Sequence, residues 1–154
     1  MKNNVFAVAL NHKSQLAVWE SAFQQAPYQT LPKTPVWFIK PRNTQIGPLA
    51  PIPYPSGESE VLSGGTLALV IGKTARKVKP EQAAEYIAGY SLANDISLPE
   101  TSFYRPAIKA KCCDGFCPLG EAVTEINVNQ LIIKTEVNGI EVDRWNTADL
   151  IRSP

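Results

Sequence analysis

Charged residues of both signs crowd the middle of this chain. Between Tyr86 and Glu121 the sequence reads YIAGYSLANDISLPETSFYRPAIKAKCCDGFCPLGE, which carries Asn94-Asp95, Arg105, Lys109, Lys111 and Asp114. Aromatic residues (Tyr90, Phe103, Tyr104, Phe116) alternate with these charges. Fixed backbone that presents convergent charged groups is how binding and catalytic sites are built. By charge and position, Arg105 and Lys109 are suited to hold the carboxylates of an anionic ligand, Arg105 in a two-pronged fashion. Lys40 and Arg42 are a further basic pair, read either as a solvated strand end or as a meeting point for the same ligand. Each group also has a purely structural reading. Asp95 beside Asn94 could cap a turn, and Lys111 and Asp114 could pair with each other.

The remaining reactive side chains point to less. His12 is the sole histidine, and a lone histidine is more often packed or hydrogen-bonded than catalytic. Cys112, Cys113 and Cys117 make an odd set. Adjacent cysteines pair only under strain, and a structural zinc site normally takes four ligands. They are read as reduced, partly buried thiols. Gly72-Lys73-Thr74 imitates the end of a phosphate-binding loop, but that pattern needs glycine where Leu67 stands.

The elements that must position these residues follow from periodicity and turn chemistry. Val5–Leu10 reads as a buried strand, and Ser14–Gln25 as an amphipathic helix capped by Ser14. Residues 26–35 form a loop, Val36–Lys40 a strand, and 47–57 a proline-dense extended stretch. Thr66–Gly72, apolar throughout, is expected as a central strand covered on both faces. Lys79–Tyr86 reads as a short helix with Pro80 in its first turn. Leu131–Val137 and Ile140–Arg144 flank Asn138-Gly139, a strong hairpin signal. Asn146 or Thr147 then caps a new helical start.

Composition sets the class. With 154 residues, 44% of them hydrophobic and 19% charged, the chain is long and apolar enough for one globular domain. A net charge of +1 gives no electrostatic footprint for nucleic acid. Thirteen prolines and nine glycines imply a turn-rich, mostly β fold. No apolar run reaches the length of a membrane span and no signal peptide is recognisable, so a cytoplasmic protein is expected.

Several spaced motifs resemble the fumarylacetoacetate hydrolase-like family. They are Gly89-Tyr90, Asn94-Asp95, and the run Lys111-Cys112-Cys113-Asp114-Gly115-Phe116-Cys117-Pro118-Leu119-Gly120. Ala9-Leu10-Asn11-His12 and Val36-Trp37-Phe38-Ile39-Lys40-Pro41-Arg42-Asn43-Thr44 are similar to two further family patterns, in the same order. The resemblance covers nearly the whole of 1–154, read as a single domain. It implies a β-rich α+β fold: mixed β-sheets forming a rolled sandwich or barrel-like core with few short helices, incomplete at the C-terminus. It also implies decarboxylation or isomerisation of small dicarboxylic and tricarboxylic enol or keto acids, with Mg2+ stabilising an enolate.

Carried over by motif, Asp95 matches a metal carboxylate, Lys111 a lysine near metal and substrate, and Asp114 the acid that follows it. Lys40, Arg105 and Lys109 would face the substrate. The family's other two metal carboxylates, a Glu-x-Glu before Leu67-Ala68, fall on Gly64 and Thr66 here, so the metal set is short. Glu58 and Glu60 reach the place only through a register shift that a strand resists. Hydrolytic members carry a histidine where this chain has Gln15, and an amide is no general base. Two roles are therefore expected. One is a catalytic Mg2+-dependent subunit. The other is a non-catalytic half that forms a homodimer or packs against a homologous metal-bearing half.

Overall fold

The computed structural model describes residues 4–154; residues 1–3 of the expected domain lie outside the described residues. Strand β1 (Val5–Ala9) pairs antiparallel with β2 (Val36–Lys40), Val5 opposite Lys40. Between them lies helix α1 (Lys13–Phe23). β3 (Gln45–Ile46) runs parallel to β6 (Cys117–Pro118). β4 (Gly65–Ile71) pairs antiparallel with β5 (Ile87–Asn94), Gly65 opposite Asn94. The short helix α2 (Ile108–Lys111) precedes β6, and β7 (Ile132–Val137) and β8 (Ile140–Asn146) close a hairpin. Mixed sheets with few short helices are thus present. Among the described residues the strands form four separate two-stranded ladders, and none closes into a barrel. No helix among them is long and apolar enough to cross a membrane.

Local chemistry explains most boundaries. Helix α1 is capped by His12, whose Nδ1 accepts the Ser14 N–H, and not by Ser14 as the sequence suggested. An imidazole with extended backbone can fill the cap as a short hydroxyl does. Asn138 and Gly139 both have positive φ, 53° and 79°, the turn that matches the twist of a tight hairpin. Of the two candidate caps, Asn146 is the residue used: its side chain accepts the Ala148 N–H at 2.9 Å. Lys79–Tyr86 becomes a 3-10 helix over Pro80–Tyr86.

One expectation is overturned. The Thr66–Gly72 run is not a central strand covered on both faces. β4 pairs only with β5 among the described residues, and Leu69 and Ile71 are 39% and 52% exposed. Apolar composition reported a strand, but not which neighbours would be there to cover it.

The core is Ile96, Leu98 and Phe116, with Val61, Ala110 and Cys113 packed against it. It lies directly under the Asn94-Asp95 corner: Ile96 N–H donates to Phe116 O at 3.2 Å and Leu98 N–H to Ala110 O at 2.9 Å. A second tie joins distant parts of the chain. The Asn11 side chain donates to Arg152 O and accepts from Arg152 N–H, both at 3.0 Å, while Ile151 N–H donates to Asn11 O at 2.8 Å.

Candidate functional site

Three chain segments converge on Asp95. The β4–β5 register sets Asp95 just beyond the last ladder pair, where its N–H donates to Gly64 O at 2.8 Å. β2 ends in Lys40, and α2 ends in Lys111. Lys40 Nζ lies 2.7 Å from Asp95 Oδ1, and Lys111 Nζ 2.7 Å from Asp95 Oδ2. Glu100 completes the group, its Oε2 3.6 Å from Lys111 Nζ. The cluster lines a broad open cleft bordered by β1, β2 and β4, which Gln15, Gly64, Thr66 and Cys117 also line.

Lys40 is 1% exposed. Its ammonium donates to Ile96 O at 2.5 Å and to Phe116 O at 2.9 Å, and its third direction faces Asp95. An ammonium has three donors, so none is left for a ligand, and Lys40 is not placed to hold a substrate carboxylate. Burial pushes the Lys40 amine below its ordinary value, and Asp95 opposes that shift. The Lys40–Asp95 contact is a close ion pair with poor angular alignment: Asp95 Oδ1 is buried and has no well-directed hydrogen-bond donor. Lys111 also lies over the Phe38 ring, 4.7 Å from its centre. Burial pushes the Glu100 carboxyl up, and Lys111 opposes it.

The other residues read from the sequence lie elsewhere. Arg105 and Lys109 are exposed and do not line the cleft; Lys109 is paired with Glu58 at 3.6 Å. Asp114 is exposed and accepts from Asn43 Nδ2 at 2.7 Å, so it orients the loop after β2 and does not meet Lys111. Gln15 does line the cleft. Its Oε1 accepts the Leu10 N–H at 2.9 Å, which fixes a residue whose φ is +57°. His12 stands edge-on to Trp145 with ring centres 5.5 Å apart. The three cysteines are free, and burial raises the Cys112 and Cys117 thiols.

Glu100 was missed in the sequence. Its signal was slight: an acid that follows the buried run Ile96-Ser97-Leu98 and the exposed Pro99. The loop that carries it is pinned by Tyr28, whose hydroxyl accepts the Phe103 N–H at 2.7 Å and meets Ser102 Oγ at 2.7 Å. Trp19 packs edge-on to Phe103 beside it.

The donor set does not fit the Mg2+ that the motif comparison implied. A hard divalent cation takes several oxygen ligands with more than one carboxylate. Among the described residues no group of three or more His, Cys, Asp or Glu side chains could hold a metal. Gly64 supplies no side-chain donor, Thr66 only a hydroxyl, and each Asp95 oxygen already has an ammonium against it.

The fold is that of a known family. The fumarylacetoacetate (FAA) hydrolase C-terminal family model matches residues 4–154, and the chain belongs to that family. Within it, the chain is 68% identical over 153 residues to the 4-hydroxyphenylacetate degradation bifunctional isomerase/decarboxylase of Escherichia coli, matching 99% of this chain and 35% of that protein. The chain therefore spans about a third of the length of that relative. Two solved structures are similar. The 5-carboxymethyl-2-hydroxymuconate delta-isomerase of Mycobacterium smegmatis superposes with a TM-score of 0.79 at 34% identity, over 97% of this chain and 55% of that one. For the 2-hydroxyhepta-2,4-diene-1,7-dioate isomerase of Mycobacterium marinum the TM-score is 0.73 at 37% identity, over 79% and 49%.

Proposed function

We propose that this chain is one half of an isomerase/decarboxylase of 4-hydroxyphenylacetate breakdown. It would act on 5-oxopent-3-ene-1,2,5-tricarboxylate and 2-hydroxyhepta-2,4-diene-1,7-dioate as part of an assembly. In this reading residues 1–154 form a single family domain that packs against a homologous half bearing the metal carboxylates, and the rolled core completes on that association. The enolate chemistry belongs to the partner half, with Mg2+ there. This half supplies one wall of the cleft and the Lys40–Asp95–Lys111–Glu100 cluster that keeps the wall in shape. The cytoplasm is the compartment that suits such a role.

The observation that carries the reading is at Asp95. Its two oxygens are each 2.7 Å from a lysine ammonium, while positions 64 and 66 offer no carboxylate. The 68% identity to a bifunctional enzyme supports the pathway; the donor set argues against independent metal catalysis. The second reading, a catalytic subunit with Asp95 on Mg2+ and with Lys111 and Asp114 at the substrate, draws on motif positions alone.

Turnover of the tricarboxylate separates the two. The purified chain with Mg2+ is expected to be inactive, and mixing it with a homologous metal-bearing half is expected to raise that half's rate or stability. Turnover by the chain alone, dependent on Mg2+, overturns this proposal in favour of the catalytic subunit.

A further inference from the structure

We infer that the residue types at 64 and 66 are what closes the Asp95 corner to a divalent cation, and that, with no carboxylate at either position, Lys40 and Lys111 alone satisfy Asp95. The inference deepens the proposed non-catalytic role and rests on it.

Charge comes first. Lys40 and Lys111 face Asp95 and Glu100, so two ammonium groups already balance two carboxylates. A divalent cation added here would meet both lysines at close range with no surplus negative charge to hold it. Lys40 has no way to withdraw, because leaving would strand Ile96 O and Phe116 O in the core.

Geometry comes second. Each Asp95 oxygen lies 2.7 Å from a lysine ammonium, so a metal here would need oxygens from neighbouring positions. Gly64 lies just before β4 and Thr66 within it, and both line the cleft with Asp95. A Cβ built on Gly64 lies 3.7 Å from Asp95 Cβ and 3.3 Å from Asp95 O. A side chain at 64 would thus start beside Asp95, and one at 66, opposite Ala93, would lie two residues along the same run. The first is snug and needs a shift of a few tenths of an ångström. The backbone thus places position 64 beside Asp95 and position 66 on the same run, and Gly and Thr there are the wrong residue types for a hard cation.

The test is Mn2+ binding to the purified chain, followed by electron paramagnetic resonance and calorimetry, with no turnover assay. The unaltered chain is expected to bind no Mn2+ at millimolar concentration. Gly64→Glu with Thr66→Glu is expected to bind one Mn2+ per chain, roughly a hundredfold tighter than the unaltered chain or more, and adding Asp95→Asn is expected to abolish it. One-to-one binding by the unaltered chain that is lost in Asp95→Asn overturns the inference, as does a folded double variant that still binds nothing.

Should the double variant not fold, Lys111→Met supplies the second arm. Its melting temperature is expected to drop and to stay down with Mn2+ added. Recovery with Mn2+ would mean that Asp95 takes metal once a lysine is gone, without help from 64 and 66, which sinks the claim. A chain that binds no Mn2+ yet gives nothing to a metal-bearing half defeats the functional proposal alone.

Discussion

At the scale of single residues, Asp95 and its two lysines dominate. Truncating Lys40 to alanine strips its ammonium from Asp95 Oδ1 and from two buried carbonyls. Loss of one partner from a buried ion pair costs about 3–5 kcal/mol, so chemical denaturation of Lys40→Ala should show that loss. Glu100 sets a pH dependence. Its carboxyl is pushed above the ordinary 4.5 by burial, so the folded chain holds this proton more tightly than the unfolded chain. The stability it contributes is full below 4.5 and falls as pH rises through the raised value. Urea midpoints measured from acidic to neutral pH should carry that fall, and Glu100→Gln should flatten it. Asp95, Lys111 and Lys40 were legible as candidates from motif order. That Lys40 spends its donors on Ile96 O and Phe116 O was not, because backbone carbonyls leave no mark in a sequence. Arg105 and Lys109 were chosen for charge, and charge alone does not say which way an exposed loop faces.

At the scale of elements, turn chemistry was the most readable signal and buried neighbours the least. Asn138-Gly139 gave the hairpin, whereas the pairing of β4 with a single neighbour was hidden, since coverage depends on segments far away in sequence. Two glycines with nearly equal φ make the difference measurable. Gly139 (φ +79°) has nothing within 4 Å of a built Cβ, while at Gly115 (φ +73°) that atom would collide with Pro53 Cδ. Gly139→Ala should cost about 1 kcal/mol for backbone strain alone. Gly115→Ala adds overpacking against a rigid ring and should cost about 3 kcal/mol or more. Thermal melts of the two variants test the contrast. Equal losses would mean that Pro53 moves freely aside.

At the scale of the whole molecule, the ladders leave much apolar surface uncovered. Phe6 and Trp37 are each 63% exposed and Ile140 is 68% exposed, and among the described residues each strand of the four ladders has one ladder partner, with β5 also bridged to Val123 and Leu119. Exposed apolar surface on unpaired strands promotes association. Sedimentation of the chain alone should show self-association that Trp37→Lys weakens; a monomer at tens of micromolar would oppose this. The family fold could be read from the sequence because its motifs are spaced along the whole chain; the unclosed sheet could not, because motifs record positions and not partners. The Asn11–Arg152 tie adds a matter of timing. Residue 152 leaves the ribosome 141 positions after residue 11. The turn that follows β1, with Gln15 and His12 around it, therefore lacks its lock until residue 152 is made. This protein should reach its native state only after translation has passed residue 152, and until then the nascent chain would offer β1 and β2 to any chaperone at the exit tunnel.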